Sequence, residues 1–196
     1  MQKQKKLVYS VGVNDADYPT RKYETTNGKC KPIWRCPFYV AWVNMLSRCY
    51  SPIYQAKYPT YIGCTVTPEW RNFSAFKSWM EQQPWEGNQL DKDILFPENK
   101  LYSPNACVFV PAALNKFLND NSAAKGALPT GVHLHRGRYM VQCENPFTLK
   151  REFLGYHGSP AEAHSAWRKR KHELACQWAD MQDDPRIAKA LRGRFA

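Results

Sequence analysis

The sequence lacks several features that would assign it at once to a class. Its 196 residues contain no apolar run approaching the ~20 residues of a membrane-spanning helix. The first ten residues, MQKQKKLVYS, are basic but lack the apolar core and cleavage site of a secretory signal. Internal repeats are absent as well. We therefore expect a cytoplasmic globular protein, with one good-sized domain or two small ones.

The cysteines form no recognisable pattern. Their number is odd, seven, and no two of them make a CxxC pair, which favours reduced thiols over a disulfide framework. Cys30, Cys36, Cys49 and Cys64 could together bind a structural Zn²⁺, but ligand pairs usually lie closer in sequence than these do. Structural zinc is therefore the less favoured interpretation.

Acidic residues are scarce relative to basic ones. The chain has 28 Lys and Arg against 17 Asp and Glu, a net charge of +11. A domain this basic attracts polyanions, because each phosphate that it neutralises releases a counterion. A generally basic surface that only keeps the protein in solution is the plainer alternative. The charge nevertheless favours nucleic acid as the partner.

Patterning divides the chain into three regions and predicts an α+β fold. Residues 1–36 are polar and turn-rich, which predicts a basic arm with little regular structure. Residues 37–120 contain two amphipathic helical stretches and then a strand, loop, strand and helix. After the polar linker NDNSAAKGALPTG, residues 128–196 alternate three short β-like runs with turns and end in a helix from about Ser159.

The most informative stretch runs from Leu90 to Asn115. Leu90 to Leu95 is predicted to be a strand, Ala106 to Val110 a returning strand, and Pro111 to Leu118 a helix with proline in its first turn. This order, with LDKDIL, YSPNACVFVP and a helical asparagine, resembles the ββα-metal core of HNH (His-Me finger) nucleases. A solvated strand edge with ordinary charges is the plain alternative.

The resemblance implies a Mg²⁺ (or Mn²⁺) site and a set of catalytic residues. Hard cations prefer carboxylate and amide oxygens, so the implied metal ligands are Asp91, Asp93 and Asn115. The implied catalytic residues are Lys92, Asp93 and Asn105, the last of which would position the hairpin.

Lys92 stands where that family carries its histidine. A lysine is ordinarily protonated at neutral pH and is a poor base, although it could contact the scissile phosphate. Alternation along a strand would place Asp91 and Asp93 on one face and Lys92 on the other, which gives a two-carboxylate site instead. The sequence leaves both arrangements open.

The C-terminal region resembles an APETALA2-type DNA-binding domain. The motifs are LPTGV at 128–132, Arg138-Tyr139, FLGY at 153–156 and AEA at 161–163, the last leading into a helix. The resemblance implies a three-stranded antiparallel sheet that packs on one helix and places its exposed face in the major groove. The implied DNA-binding residues are His133, His135, Arg136, Arg138, Lys150 and Arg151.

Residues 39 to about 190 as a whole resemble phage and prophage proteins that join these two halves. The phrases W-x-x-ML-x-RCY and Y-x-GC-x-V-x-x-EW are further signatures of that family. The resemblance implies a divalent-metal-dependent, homing-like endonuclease of double-stranded DNA, working in the host cytoplasm if it is phage-encoded, with no membrane partner. Two alternatives stay open: a catalytically inactive DNA-binding, regulatory or anti-defence protein, and an inhibitor of a host enzyme.

Overall fold

A computed structural model describes residues 7–27, 29–119 and 128–196. These residues form six α-helices and several small β-sheets, which confirms the predicted α+β class. They divide into two compact units, one ending at Val110 and the other beginning at Pro111. No helix in the described part of the chain combines the length and apolar character needed to cross a membrane.

The first unit contains three two-stranded sheets around helices α1 and α3. Strands β1 and β2 are antiparallel, β3 and β5 are parallel, and β4 pairs with β6. Short 3₁₀ turns cover Pro59–Tyr61 and Glu69–Arg71. The elements in chain order are β1 (Arg21–Thr26), β2 (Lys29–Arg35), α1 (Pro37–Tyr50), α2 (Pro52–Lys57), β3 (Thr65–Val66), α3 (Phe73–Met80), β4 (Asn88–Asp91), β5 (Leu101–Tyr102) and β6 (Val108–Pro111).

Aromatic side chains from α1 and α3 fill the core of the first unit. The spacing of apolar residues in 38–49 predicts one helical stripe, which is buried and consists of Trp42, Met45, Leu46 and Cys49. Trp42 Nε1 donates a hydrogen bond of 2.7 Å to the carbonyl oxygen of Trp70, which satisfies the indole inside the core. Full burial of side chains of this size stabilises the fold by roughly 2–3 kcal/mol each.

The second predicted helix is shorter than the periodicity indicated. The sequence predicts a helix from Glu69 to Gln82, but Asn72 is extended (φ −88°, ψ 128°) and α3 begins only after it. The cause is a tertiary contact. Val13 donates to the carbonyl of Arg71 (2.8 Å) and accepts from the amide of Phe73 (3.1 Å), which holds Asn72 beside the N-terminal segment.

The prediction of little regular structure in residues 1–36 was wrong for Arg21–Thr26 and Lys29–Arg35, which are strands. The segment from Leu7 to Tyr18 packs on the first unit, and Gly12 lies so close to α1 that a Cβ there would be 2.4 Å from Leu46 Cδ1. Asp15 accepts a hydrogen bond of 2.8 Å from the amide of Ser74. Strands β1 and β2 follow as a hairpin.

The second unit is a three-stranded antiparallel sheet with helices. Its strands lie in the order β7-β8-β9, and α5 packs against all three. The predicted strands and the helix beginning near Ser159 are confirmed, whereas α6 was not predicted. The predicted linker lies largely outside the described residues. The elements are α4 (Ala112–Leu118), β7 (Val132–His135), β8 (Arg138–Asn145), β9 (Lys150–His157), α5 (Pro160–Asp180) and α6 (Pro185–Gly193).

Local signals explain the helix starts and the first turn of this unit. Ser159 Oγ accepts from the amide of Glu162 (3.2 Å), and Asp184 Oδ1 accepts from the amide of Arg186 (2.8 Å). Each cap is followed by proline at the first helical position. Arg136 and Gly137 both have positive φ (51° and 75°), as the tight turn between two twisted antiparallel strands requires.

Candidate functional site

The segment that resembles a nuclease core turns where strand β4 ends. The predicted strand to Leu95 is wrong, because β4 ends at Asp91 and residues 92–96 form a bend. Asp91 Oδ1 accepts hydrogen bonds from the amides of Asp93 (2.7 Å) and Ile94 (2.8 Å), which turns the chain. Strand alternation therefore ends at Asp91 and gives no reason to place Asp93 on the same face.

Lys92 is buried and saturated with hydrogen bonds. Only 5% of its surface is exposed, and its Nζ donates to both carboxylate oxygens of Asp93 (2.6 and 2.7 Å) and to the carbonyl of Asn99. An ammonium has three hydrogens to donate, so these acceptors use all of them. Asn99 Nδ2 donates back to the carbonyl of Lys92 (3.0 Å). The pair closes the loop between β4 and β5.

Buried polar and sulfur groups surround this loop. Arg48 Nη1 donates to the carbonyl of Leu90 (3.4 Å), and its guanidinium lies 5.7 Å from the ring centroid of Tyr61. Burial raises the pKa of Cys49 and of Cys107 to about 12, so both thiols are protonated at neutral pH. Protonated thiols are poor nucleophiles. The surroundings of Lys92 are therefore those of a packed interior.

Asp93 fits a divalent metal ion poorly in this arrangement. The Lys92 ammonium already contacts both oxygens of Asp93, which are the atoms that would ligate the ion. Burial raises the pKa of Asp91, which opposes its charged form, although hydrogen bonds from the amides of Asp93 and Ile94 act in the other direction. Within the described ranges, no three His, Cys, Asp or Glu side chains cluster closely enough to hold a metal ion.

The two asparagines of the predicted site belong to other elements of the chain. Asn105 is exposed in the turn before β6, where the amide of Cys107 donates to the carbonyl of Ser103 (2.9 Å). Asn115 lies on α4, which belongs to the second unit. There α4 is fixed to α5 by Lys171 Nζ, which donates to the carbonyl of Phe117 (2.5 Å) and lies 3.6 Å from its ring centroid.

The three-stranded sheet has two chemically different faces. Cross-strand partners share a face, and Val132, Val141 and Cys143 are buried on the face that packs on α5. Glu152, the partner of Cys143, points to the same side and accepts a hydrogen bond of 2.7 Å from Arg170 Nε of α5. Residues in the alternate positions therefore form an outer face.

Four of the six predicted DNA-binding residues lie on this outer face. They are His133, His135, Arg138 and Arg151, and all four are exposed. Arg136 lies in the turn between β7 and β8 instead. Lys150 is exposed at the start of β9, opposite the buried Asn145. The outer face thus carries both predicted histidines and two of the four predicted Lys and Arg residues.

Two aromatic residues on the same face were not among the predicted DNA-binding residues. Phe153 pairs with Gln142 and is 56% exposed, and Tyr156 pairs with Met140. The period-2 alternation of β9 was a signal for them, but an extra residue, Leu154, lies between the paired positions Phe153 and Gly155. This bulge shifts the alternation by one and hides the pattern in the sequence.

Contacts among these side chains order them on the surface. The rings of His135 and Tyr156 stack with centroids 5.8 Å apart, and the Tyr156 hydroxyl is 3.3 Å from His135 Nδ1. Arg138 Nη2 donates to the carbonyl of Tyr156 (3.3 Å), and its guanidinium lies 5.6 Å from the Tyr156 ring centroid. Phe153 meets Tyr156 edge to face at 5.2 Å. The result is a cationic and aromatic platform.

The acidic residues of the sheet do not cancel this charge. Glu152 faces α5, where Arg170 and Asn145 lower the pKa of its carboxyl by hydrogen bonding. Glu144 lies on the outer face, but its carboxylate pairs with Lys116 Nζ of α4 at 2.8 Å. The outer face therefore keeps a positive balance.

Comparison of the chain with protein-family models, with curated proteins and with solved structures gave no match.

Proposed function

We propose that this protein binds double-stranded DNA through the outer face of strands β7 to β9. The observation that carries the proposal is the platform of exposed cations and aromatic rings on that face, described above. Arg138 and Arg151 would contact phosphates or guanine edges, which are the usual partners of arginine on DNA. Phe153 would supply apolar contact with thymine methyl groups.

The dimensions of the sheet suit a groove of DNA. Three strands spaced about 4.8 Å apart make a surface about 10 Å across, and the major groove is about 12 Å wide. Helix α5 packs on the opposite face of all three strands and stiffens the sheet from behind. This is the arrangement that the resemblance to an APETALA2-type domain implies, and the DNA-binding proposal extends it to this chain.

The geometry around Lys92 argues against a catalytic role for this residue. It favours a protein that binds DNA and does not use Lys92 to cleave it. All three hydrogens of its ammonium are committed to Asp93 and Asn99, and the side chain is buried. It therefore offers neither a lone pair for a proton nor a donor for a phosphate. A non-cleaving, regulatory or anti-defence DNA-binding protein of the cytoplasm is the form of the proposal that agrees best with this site.

Metal-dependent DNA cleavage is the second candidate, and Asp91 favours it. A half-buried carboxyl whose pKa is raised by burial is unusual enough to mark a candidate functional position. The HNH-like endonuclease implied by the sequence resemblance would use Asp91 as a metal ligand, and bound Mg²⁺ or Mn²⁺ would stabilise the leaving oxygen.

The DNA-binding proposal is tested by the salt dependence of duplex affinity. Fluorescence anisotropy would compare the wild type with Arg138→Gln/Arg151→Gln and with a control, Arg168→Gln/Lys169→Gln, which removes equal charge from exposed positions of α5. The logarithm of the affinity falls with the logarithm of the salt concentration, and each lost phosphate contact makes this slope shallower by about 0.9. The slope of the sheet variant should therefore be shallower than that of the wild type by about 1.8. The control should keep the wild-type slope. Equal losses in both variants would contradict the proposal.

Cleavage is tested separately with supercoiled plasmid and Mg²⁺ or Mn²⁺. The second candidate expects nicked or linear product from the wild type and none from Asp91→Ala. If the wild type binds duplex DNA but leaves the plasmid supercoiled, the result would support binding without cleavage. Product that forms equally with Asp91→Ala would remove Asp91 from the site.

A further inference from the structure

Strands β1 and β2 form a hairpin that buries almost nothing. Every residue of Arg21–Thr26 and of Lys29–Arg35 is exposed, so both faces of the hairpin meet solvent. At its base the amide of Cys36, the residue before α1, donates a hydrogen bond of 2.9 Å to the carbonyl of Thr20. We refer to the two strands as the basic ribbon. A two-stranded hairpin without a packed face is only marginally stable in water, so a partner surface would stabilise it.

The composition of the basic ribbon identifies the charge of that partner. Five cations lie on the two strands against a single acid, Glu24. Repulsion among them is relieved when phosphates replace the counterions. The cations are Arg21, Lys22, Lys29, Lys31 and Arg35.

The register of the ribbon sorts these side chains onto two faces. Cross-strand pairing puts Lys29 opposite Thr26, Lys31 opposite Glu24 and Trp34 opposite Lys22, all on one face. Lys22 Nζ lies 5.6 Å from the ring centroid of Trp34, so one cation is held against an indole. The opposite face carries Arg21 and Arg35, which are paired at the base.

Large apolar side chains are exposed on the same ribbon. Tyr23 and Ile33 are more than half exposed, and Trp34 is only a little less so. A ribbon that displays apolar groups between cations combines the two kinds of group that contact nucleic acids: cations for phosphates and flat or apolar groups for base edges. A purely solvated arm would need only the cations.

We infer that the basic ribbon enters a groove of double-stranded DNA and forms a second contact, separate from the outer face of the C-terminal sheet. The major groove admits a two-stranded β-ribbon. In that position Lys22, Lys29 and Lys31 contact the phosphates that line the groove. The inference rests on the proposed function, since it requires that the protein bind duplex DNA.

Cys30 gives a direct probe of the ribbon. It is exposed on β2, whereas Cys36, Cys49, Cys64, Cys107 and Cys143 are buried and Cys176 is half-buried. Alkylation by N-ethylmaleimide, followed by peptide mass spectrometry, would measure the reaction rate at Cys30 with and without duplex DNA. We expect duplex to slow the reaction at Cys30 severalfold at low salt and not at high salt, with Cys176 as the internal reference.

Heparin separates groove insertion from simple attraction to a polyanion. It carries dense negative charge but has no groove and no bases. We expect it to protect Cys30 less than duplex does when the two are compared at concentrations that saturate the protein. Equal protection by heparin, or none by duplex, would overturn insertion.

A charge variant of the ribbon supplies the second measurement. Lys22→Gln/Lys29→Gln/Lys31→Gln would be compared with Lys57→Gln/Lys169→Gln/Lys189→Gln, three exposed lysines on helices. The ribbon variant should lower the salt slope by about 2.7 and the control should leave it near the wild-type value. Both variants change exposed side chains, so thermal unfolding should match the wild type and verify their folding.

The outcomes distinguish this inference from the proposed function. A wild type that shows no salt-dependent duplex binding overturns both. A wild type that binds, with a slope that depends on Arg138 and Arg151 but not on the ribbon lysines, overturns the ribbon contact alone.

Discussion

Lys92 and the two arginines of the outer sheet face differ in the exposure of their charged groups and in what those groups contact. Lys92 lies between two acids at the end of a strand, and its ammonium is buried and fully hydrogen-bonded. Arg151 likewise has an acidic neighbour, Glu152, and pairs with Glu144 across the sheet, yet its side chain is exposed on the outer face, as is that of Arg138. The first cation holds the fold together, and the others remain available to a ligand.

The difference depends on what the neighbouring acids do. Asp93 turns toward Lys92 after the strand ends, so the acid and the cation neutralise each other inside one loop. Glu152 turns away from the outer face toward Arg170, and Glu144 is engaged by Lys116. A basic side chain therefore stays available to a partner when other residues of the fold pair with the nearby carboxylates.

The largest effect should come from breaking the Lys92 contacts. Lys92→Met keeps most of the unbranched side chain but leaves the Asn99 carbonyl and the Asp93 carboxylate without their donor. We expect the free energy of unfolding to fall by about 2–3 kcal/mol, less than for a fully buried pair because Asp93 is partly exposed. Urea unfolding followed by tryptophan fluorescence would measure this.

The control for that experiment is Lys100→Met, at an exposed position whose ammonium donates to the carbonyl of Thr60. It should change stability by no more than about 0.5 kcal/mol. Folded Lys92→Met should bind duplex DNA as the wild type does. If Lys92→Met were as stable as the control but bound DNA weakly, Lys92 would contribute to DNA binding, as is proposed for the outer-face arginines, and not to stability.

The C-terminal sheet could be predicted from sequence because its signals are local. The three β-like runs, the Arg136-Gly137 turn and the Ser159-Pro160 helix start each depend on residues adjacent in the chain. The burial of the Lys92 ammonium depends on a hydrogen bond to Asn99, which lies seven residues away across a loop. Strand periodicity does not predict such a contact. The hydrogen bonds of Asp91 to the two following amides also end the strand early.

The N-terminal hairpin was missed for a different reason. Its strands mix cations, proline and aromatic residues without the apolar alternation of a half-buried strand, because neither face is buried. Asn72 likewise interrupts a helical pattern because it pairs with Val13 from a distant segment. Both errors arise where tertiary contact, or its absence, outweighs the local pattern.

A smaller effect is expected from the aromatic part of the outer face. Phe153→Thr removes an exposed ring and introduces a β-branched residue, which suits a strand, so stability should change by no more than about 0.5 kcal/mol. Duplex affinity should fall about fivefold, which corresponds to about 1 kcal/mol. Anisotropy titrations at fixed salt would measure the change.

Leu134→Thr is the matched control, since Leu134 is also exposed (63%) on a strand of the sheet but pairs with Tyr139 in the row that alternates with the outer face. We expect it to bind duplex DNA with nearly wild-type affinity. Similar losses in Phe153→Thr and Leu134→Thr would show that apolar exposure in general, and not the outer face, determines affinity.

The smallest effect is expected from removing the charge of Asp91 or of Asp93. The two substitutions should change the free energy of unfolding in opposite directions. Burial raises the pKa of Asp91, so the folded state binds the proton more tightly than the unfolded state. The stabilisation from that proton is present at low pH and is lost as pH rises through the raised pKa. Asp91→Asn keeps the acceptor for the amides of Asp93 and Ile94 and removes this loss.

Asp91→Asn should therefore become more stable than the wild type as pH rises above the ordinary range of an aspartate carboxyl. Asp93→Asn should have the opposite sign at neutral pH, because it removes the anion that pairs with Lys92. Urea unfolding of both variants across the acidic to neutral range would compare them. Two losses of similar size at neutral pH would mean that Asp91 is held as a paired anion, as Asp93 is, and that burial does not oppose its charge.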